Sequence, residues 1–139
     1  MPTVFTRIID GEIPGTFVWK DDQAVAFMSI NPTARGHVLV VPRAEIDHWI
    51  ECPPDLSRHL FEVAHAIGSA QQEAFDCERV GLVIAGYEVP HTHLHVIPTE
   101  GMHHLSFANA ATAVSRDDLE AAAESIRVAL RAAGRTEVA

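Results

Sequence analysis

The order of apolar and polar positions predicts three β-strands within the first 42 residues. The stretch TFVWKDDQAVAFMSINP, from Thr16, holds two apolar runs on either side of a polar turn at residues 20–23, which indicates a β-hairpin. Pro14-Gly15 before it and Asn31-Pro32 after it favour turns. The stretch HVLVVP, residues 37–42, is rich in β-branched side chains and predicts a strand that is buried on both faces.

Two helices are predicted from apolar positions spaced three and four residues apart. The longer one covers residues 56–75 and has one apolar face. The second lies near the C-terminus, begins with a capping motif formed by Ser115 and Asp118, and is stopped by Gly134. Its apolar stripe consists of Leu119, Ala122, Ala123, Ile126 and Leu130.

Two more strands are predicted between the helices. RVGLVIAG reads as a strand that ends at Gly86, and HTHLHVIP as a strand that Pro98 stops. Strands and helices in this order predict an α+β protein, and we expect one domain over residues 1–139 without internal repeats.

Composition and charge exclude several classes of function. The 139 residues are 47% hydrophobic, which is enough for one core. The net charge of −9 argues against binding a nucleic acid polymer, because such proteins usually carry a basic face. Cys52 and Cys77 are too few for a disulfide framework, and no run approaches the roughly 18 apolar residues of a membrane span. We therefore expect a cytoplasmic protein that is not attached to a membrane.

Three histidines at alternate positions are the main candidate for chemistry. In EVPHTHLHVIP, His91, His93 and His95 would share one face of an extended strand, about 6.6 Å apart along it, while the residues between them face a core. Their rings would then line a cleft that is suited to contacting a single anion.

Three interpretations of this row remain open from spacing alone. A coincidental row of exposed histidines is the plain one, and it also applies to the isolated His48, His59 and His65. Metal ligation is the second, since H-x-H on a strand can supply two imidazole ligands. In the third, which we favour, a neutral imidazole acts as nucleophile while its neighbours bind charge and move protons.

The neighbouring residues favour catalysis over metal binding. Glu88 is the only acid close to the row in sequence, whereas a catalytic zinc would need carboxylate or carbonyl groups around its ligands. A row of imidazoles without interleaved acids suits an anionic substrate. Because like charges at this spacing oppose each other, we expect coupled titrations and at least one neutral ring near pH 7.

These residues resemble a known family. HTHLHVI is similar to the signature of the histidine triad (HIT) nucleotide hydrolases and transferases, with Thr92 where an apolar residue is usual. The stretch TVFTRIIDGEIPGTFVWKDDQAVAFMSINPTARGHVLVVPRAEI resembles the N-terminal half of their Hint branch. The resemblance covers residues 3–99 and implies an antiparallel sheet with a long helix packed on it, followed by a C-terminal extension and helix over residues 100–139.

The resemblance also implies roles for individual histidines. His93 would attack the α-phosphorus of a nucleotide to form a nucleotidyl-imidazole intermediate, from which water releases the nucleoside monophosphate. His95 would contact the phosphate and help to protonate the leaving group, and His91 would orient and polarise the row. His37, which follows Gly36, matches a fourth histidine beside the triad.

Further positions match those that bind the nucleotide in the family. An apolar group would enclose the base, Ser29 would lie beside the ribose, and a turn before the triad would hold phosphate through its backbone amides. For Ile8 and Leu39 ordinary core packing is an equally good interpretation. These positions are Val4, Phe5, Ile8, Phe27, Ser29, Ile30, Leu39, Gly86 and Glu88.

Three departures from the family pattern bear on function. Ser29 replaces the usual aspartate that accepts hydrogen bonds from the ribose. Thr3, Thr6 and Glu45 replace the ligands that accompany His91 in a structural zinc site of bacterial relatives, so we predict no structural metal. The loop VIAGYEVPH lacks the asparagine- and glycine-rich insertion of the Hint branch.

We therefore predict a hydrolase or nucleotidyl transferase that acts on a small nucleotide, without a cofactor. Nucleoside 5′-phosphoramidates are the first substrate class to consider and dinucleoside polyphosphates the second. A nucleotide-binding module with weak catalysis and a metal-dependent hydrolase are the alternatives. The resemblance also implies a homodimer. His103 and His104 could form a solvated pair, which is the plain interpretation, a subunit contact or a second wall of the site.

Overall fold

A computed structural model describes residues 2–139 and shows one five-stranded antiparallel sheet with helices, so the predicted α+β class is confirmed. The strand order is β1-β2-β3-β5-β4. The strands are β1 (Phe17–Lys20), β2 (Ala24–Met28), β3 (Val38–Pro42), β4 (Arg79–Val83) and β5 (Leu94–Thr99). The helices are α1 (Val4–Ile9), α2 (Pro54–Phe75) and α3 (Arg116–Ala132), with one-turn 3-10 helices at Trp49–Glu51, Met102–Leu105 and Phe107–Asn109.

The larger apolar core lies between the sheet and helices α2 and α3. Val38, Val40, Leu94 and Val96 from the two central strands pack in this core with Ile67 of α2. Helix α3 packs on α2 and on β1. Its predicted cap is confirmed, since the Ser115 side chain accepts a hydrogen bond from the backbone N–H of Asp118, and all five residues of its predicted stripe are buried.

A second apolar cluster contains Phe5 of α1 together with Val25, Phe27, Leu39 and Val41 of the sheet. The sequence analysis did not predict α1, because six residues give little helical periodicity. The helix is nevertheless capped, since the Thr3 hydroxyl accepts a hydrogen bond from the Thr6 N–H at 3.1 Å. Phe5 of this cluster packs edge-on against the rings of His91 and His93.

Three predicted strand boundaries are wrong. Strand β4 ends at Val83 rather than at Gly86, β5 begins at Leu94 rather than at His91, and β5 continues through Pro98 to Thr99. The last β3–β5 pair is Val40 with Leu94, so the same register would place Pro42, which has no N–H, opposite Thr92. Instead, both the backbone N–H and the hydroxyl of Thr92 donate to the Ile46 carbonyl, each at 2.7 Å, which draws the chain away from the sheet.

Every helix among residues 2–139 is too short or too polar to cross a lipid bilayer.

Candidate active site

The three triad histidines do not share one strand face as predicted. His95 lies in β5, His93 directly before the strand, and His91 in a bend two residues earlier. The rings of His93 and His95 are neighbours, with centroids 4.9 Å apart. His91 is fully buried and its ring does not line the cavity described below, because the chain bends at residue 91 and turns this side chain into the protein.

The hydrogen bond of His93 determines which of its ring nitrogens carries a proton. Its Nδ1 lies 2.7 Å from the backbone carbonyl oxygen of His91, which can only accept, so Nδ1–H is the donor. In the neutral ring the lone pair is therefore on Nε2. The ring of Phe5 packs edge-on against the His93 imidazole at 5.0 Å and fixes its orientation. His91 thus orients His93 through its backbone rather than through its ring.

A chain of hydrogen bonds connects His37 and His95. The backbone N–H of Thr33 donates to Nδ1 of His37 at 3.1 Å, which leaves the proton of the neutral His37 ring on Nε2. Nε2 lies 2.9 Å from Nδ1 of His95 and donates to it. The neutral His95 ring then carries its proton on Nε2. Beside the unprotonated Nε2 of His93 the site therefore holds a neutral imidazole donor.

Burial keeps all three of these rings neutral near pH 7. Burial, then the proximity of His95 and His93, lowers the pKa of His37 from 6.5 to about 3. Burial and then His93 lower the pKa of His95 to about 4. The pKa of His93 is also lowered by burial, against the opposing effects of its bond to the His91 carbonyl and of the Glu88 carboxylate. The coupling expected from the sequence is present, but burial is the larger cause.

His37, His93 and His95 line a cavity of about 570 Å³, which is the size of small-molecule sites in proteins. Of the nine positions predicted to bind the nucleotide, all except Gly86 line the same cavity. Gly86 lies in the turn after β4 and has the left-handed φ of +88° that favours glycine. Ser29 is nearly buried, and its hydroxyl accepts a hydrogen bond from the Asn31 N–H at 3.3 Å.

One wall of the cavity was missed by the sequence analysis. Residues 107–112 form it, all of them except Asn109 line the cavity, and the centre of the Phe107 ring lies 4.7 Å from that of the His95 ring. The segment is attached to the Asn31-Pro32 turn, because the Ala111 N–H donates to the Pro32 carbonyl and the Asn31 side chain donates to the Ala111 carbonyl. Phe107, a single aromatic residue in a small and polar stretch after the triad, was the available signal.

Arg116 also lines the cavity. Within residues 2–139 it is the only lysine or arginine among the lining residues. It is the first residue of α3 and is exposed. Residues 13–16 complete the opposite wall.

The residues that correspond to a zinc site in bacterial relatives form a hydrogen-bonded cluster here. The Thr3 hydroxyl lies 2.6 Å from Nδ1 of His91, and Nε2–H of His91 donates to the Pro42 carbonyl at 2.7 Å. Glu45 accepts from the Thr3 N–H at 2.8 Å and from the Thr6 hydroxyl at 2.5 Å. Two hydroxyls, one carboxylate and one imidazole do not fit structural zinc, which takes four cysteine or histidine ligands.

Comparisons with known proteins agree with this geometry. The HIT domain family model matches residues 10–102. An uncharacterized HIT-like protein of Methanocaldococcus jannaschii is 36% identical over 99 residues, which cover 68% of this chain and 77% of that protein. The crystal structure of a Zn-bound histidine triad family protein from Mycobacterium smegmatis has a TM-score of 0.81 at 26% identity and covers 94% of each chain.

A HIT family hydrolase from Legionella pneumophila has a TM-score of 0.62 at 31% identity, over 73% of this chain and 96% of that one. The family model spans more than half of the 139 residues and includes the whole triad. The chain therefore belongs to the histidine triad (HIT) family.

Proposed function

We propose that this protein hydrolyses or transfers the nucleotidyl group of a small nucleotide, with attack by His93 on the α-phosphorus. The observation that carries the proposal is the hydrogen bond from Nδ1–H of His93 to the His91 carbonyl, because it leaves a lone pair on Nε2 beside the cavity. The similarity to a HIT family hydrolase supports the same class of reaction.

In the first step, the Nε2 lone pair of His93 forms a bond to the α-phosphorus while the bond from phosphorus to the leaving group breaks. The leaving group departs with the bonding electron pair and takes a proton from the solvent, while Nε2–H of His95 donates a hydrogen bond to it. The hydrogen bond from His37 to Nδ1 of His95 holds that ring in the tautomer that can donate. The products are a nucleotidyl-His93 intermediate and the protonated leaving group.

In the second step, water attacks the same phosphorus and the bond between phosphorus and His93 breaks. The proton of the attacking water passes to the solvent, which restores the proton used in the first step. The step releases a nucleoside monophosphate and restores the neutral His93 ring. An alcohol or amine in place of water would give transfer rather than hydrolysis.

Nucleoside 5′-phosphoramidates are the first substrate class that we propose, since Nε2–H of His95 is placed to donate a hydrogen bond to the nitrogen leaving group. Dinucleoside polyphosphates are the second. The apolar residues around the cavity, including Phe5 and Phe27, are proposed to hold the base.

Turnover of adenosine and guanosine 5′-phosphoramidates by the wild-type chain and by His93→Ala, with a chelator present, tests this function. We expect monophosphate from the wild-type protein alone. Nucleotide binding by calorimetry without turnover of either substrate class would contradict it and would favour a binding module. Activity that is lost in chelator and restored by zinc would favour a metal-dependent hydrolase.

We also propose that two copies of the chain associate through β4 and α2. Strand β4 is an edge of the sheet, so its outer backbone groups can pair with another strand. Leu82 of β4 and Phe61 of α2 are each 43% exposed and line the same groove.

We further propose that residues 1–139 form one domain and that the protein is cytoplasmic, in agreement with the unpaired thiols of Cys52 and Cys77.

A further inference from the structure

Gln71 is a polar residue in the middle of the apolar face of α2. Its side chain is fully buried, and the other buried residues of that face are apolar: Leu60, Val63, Ala64, Ala66, Ile67 and Ala70. Its Oε1 atom has no hydrogen-bond partner within the described residues. Burying an amide whose oxygen has no partner costs free energy. Any stabilisation by Gln71 must therefore come from the hydrogen bonds of its two N–H donors.

Both donors are used on the backbone beside the active-site histidines. Nε2 of Gln71 donates to the carbonyl oxygens of Gly36 and Val96, each at 2.8 Å. Gly36 directly precedes His37, and Val96 directly follows His95. One amide therefore bridges the two chain segments that carry the hydrogen-bonded histidine pair.

The bridge lies where the β3–β5 ladder ends. The last pair at this end is Val38 with Val96, so the same register would bring Gly36 opposite Pro98. Proline has no N–H, and the ladder therefore offers no donor to the Gly36 carbonyl. The amide of Gln71 supplies that donor from the helix.

The same helix holds residue 36 from a second side. Gly36 has a φ of +92°, a left-handed conformation that favours glycine, and a Cβ there would overlap with the ring of Phe75. Phe75 is one helical turn after Gln71. The last turns of α2 thus fix the backbone position from which the His37 side chain extends.

We propose that Gln71 is a positioning residue for the His37–His95 pair, which sets the separation of the two strands so that Nε2 of His37 reaches Nδ1 of His95. The distance between these atoms is 2.9 Å, and the hydrogen bond selects the His95 tautomer. The part of this role that concerns turnover rests on the function proposed above. His93, whose ring lies 4.9 Å from that of His95, is the adjacent titratable group.

Imidazole ¹⁵N NMR titration of the ligand-free protein tests this role without any substrate. The variants are Gln71→Met, which keeps the length of the side chain but removes both donors, and the control Ile67→Val on the same buried helix face. In the wild-type protein burial keeps the pKa of His95 at about 4. We expect this pKa to rise toward its ordinary value in Gln71→Met, because water enters between separated strands, and to be unchanged in Ile67→Val.

The kinetic expectation is a fall in kcat of roughly ten- to a hundredfold for Gln71→Met with a small change in KM, since misplacing a catalytic group by about 1 Å costs this much. Gln71→Glu, whose protonated form can donate to only one carbonyl, should give an intermediate titration shift. If Gln71→Met does not fold, the shift in Gln71→Glu carries the test.

An unchanged His95 titration in a folded Gln71 variant would overturn the positioning role even if the wild-type protein turns over its substrate. An absence of turnover in the wild-type protein, with the titration shift present, would contradict the proposed function and leave the positioning role supported.

Discussion

At the scale of single residues, the partner of each imidazole fixes the position of its proton. A carbonyl oxygen opposite Nδ1 of His93 and a backbone N–H opposite Nδ1 of His37 give these rings opposite tautomers. The first leaves a lone pair on Nε2 of His93, and the second leaves an N–H donor that sets the tautomer of His95. Both partners are backbone groups, so side-chain substitution does not remove them directly.

The buried neutral histidines predict a stability that depends on pH. The pKa of His37 is about 3 and that of His95 about 4 in the folded protein, against about 6.5 in the unfolded chain, so the unfolded state binds more protons between these values. The free energy of unfolding should fall as the pH is lowered below 6.5, by up to about 1.4 kcal/mol per pH unit for each ring. Urea denaturation at pH 7, 6 and 5 measures this.

The control for this prediction is His37→Gln, which removes one of the two groups. Its free energy of unfolding should fall less steeply with pH than that of the wild-type protein. Equal slopes in the two proteins, or none between pH 7 and 5, would show that these rings are not held neutral by burial.

The Thr3 hydroxyl gives a second prediction at this scale. Thr3→Val leaves Nδ1 of the fully buried His91 without a partner and removes the α1 cap, so it should cost about 1–3 kcal/mol of stability. Thr3→Ser keeps the hydroxyl and should have the stability of the wild-type protein. Thr6→Val should also have this stability, because the hydrogen bond that it loses, from Thr6 to Glu45, is exposed to solvent. Thermal unfolding compares the three, and equal melting temperatures would refute a structural role for this hydrogen bond.

At the scale of elements, helix capping contributes to stability. Ser115 caps α3, and its replacement by alanine should cost roughly 1 kcal/mol of stability. Ser125→Ala in the middle of the same helix is the matched control, because its hydroxyl only bonds back to the Ala121 carbonyl. Denaturant unfolding should separate the two variants, and the prediction fails if they lose equal stability.

Elements with strong periodicity were predictable, whereas those set by partners distant in sequence were not. The α3 stripe and the hairpin follow from local pattern. The start of β5 at Leu94, three residues later than predicted, does not follow from local pattern. It depends on Pro42, which would lie opposite Thr92, and on the Ile46 carbonyl, which binds Thr92. The wall at residues 107–112 likewise depends on its attachment to the Asn31-Pro32 turn, which no local pattern indicates.

At the scale of the whole molecule, the proposed association of two copies uses exposed apolar side chains of β4 and α2. Leu82→Lys places a charge at the middle of the proposed contact and should convert a dimer to a monomer, measured by light scattering after gel filtration. Lys replacement of Val128, which is 55% exposed on α3, is the control and should leave the mass unchanged. A monomeric wild-type protein would refute the proposed association.

Mass spectrometry of the protein during turnover tests the proposed covalent attachment of the nucleotidyl group to His93. A mixture with adenosine 5′-phosphoramidate is stopped within the first turnovers by alkaline denaturant, and the peptides are mapped. We expect one adenylyl group on the peptide that contains His93, attached to that ring, and none in His93→Ala. Turnover without any adduct, or an adduct on His37 or His95, would contradict it.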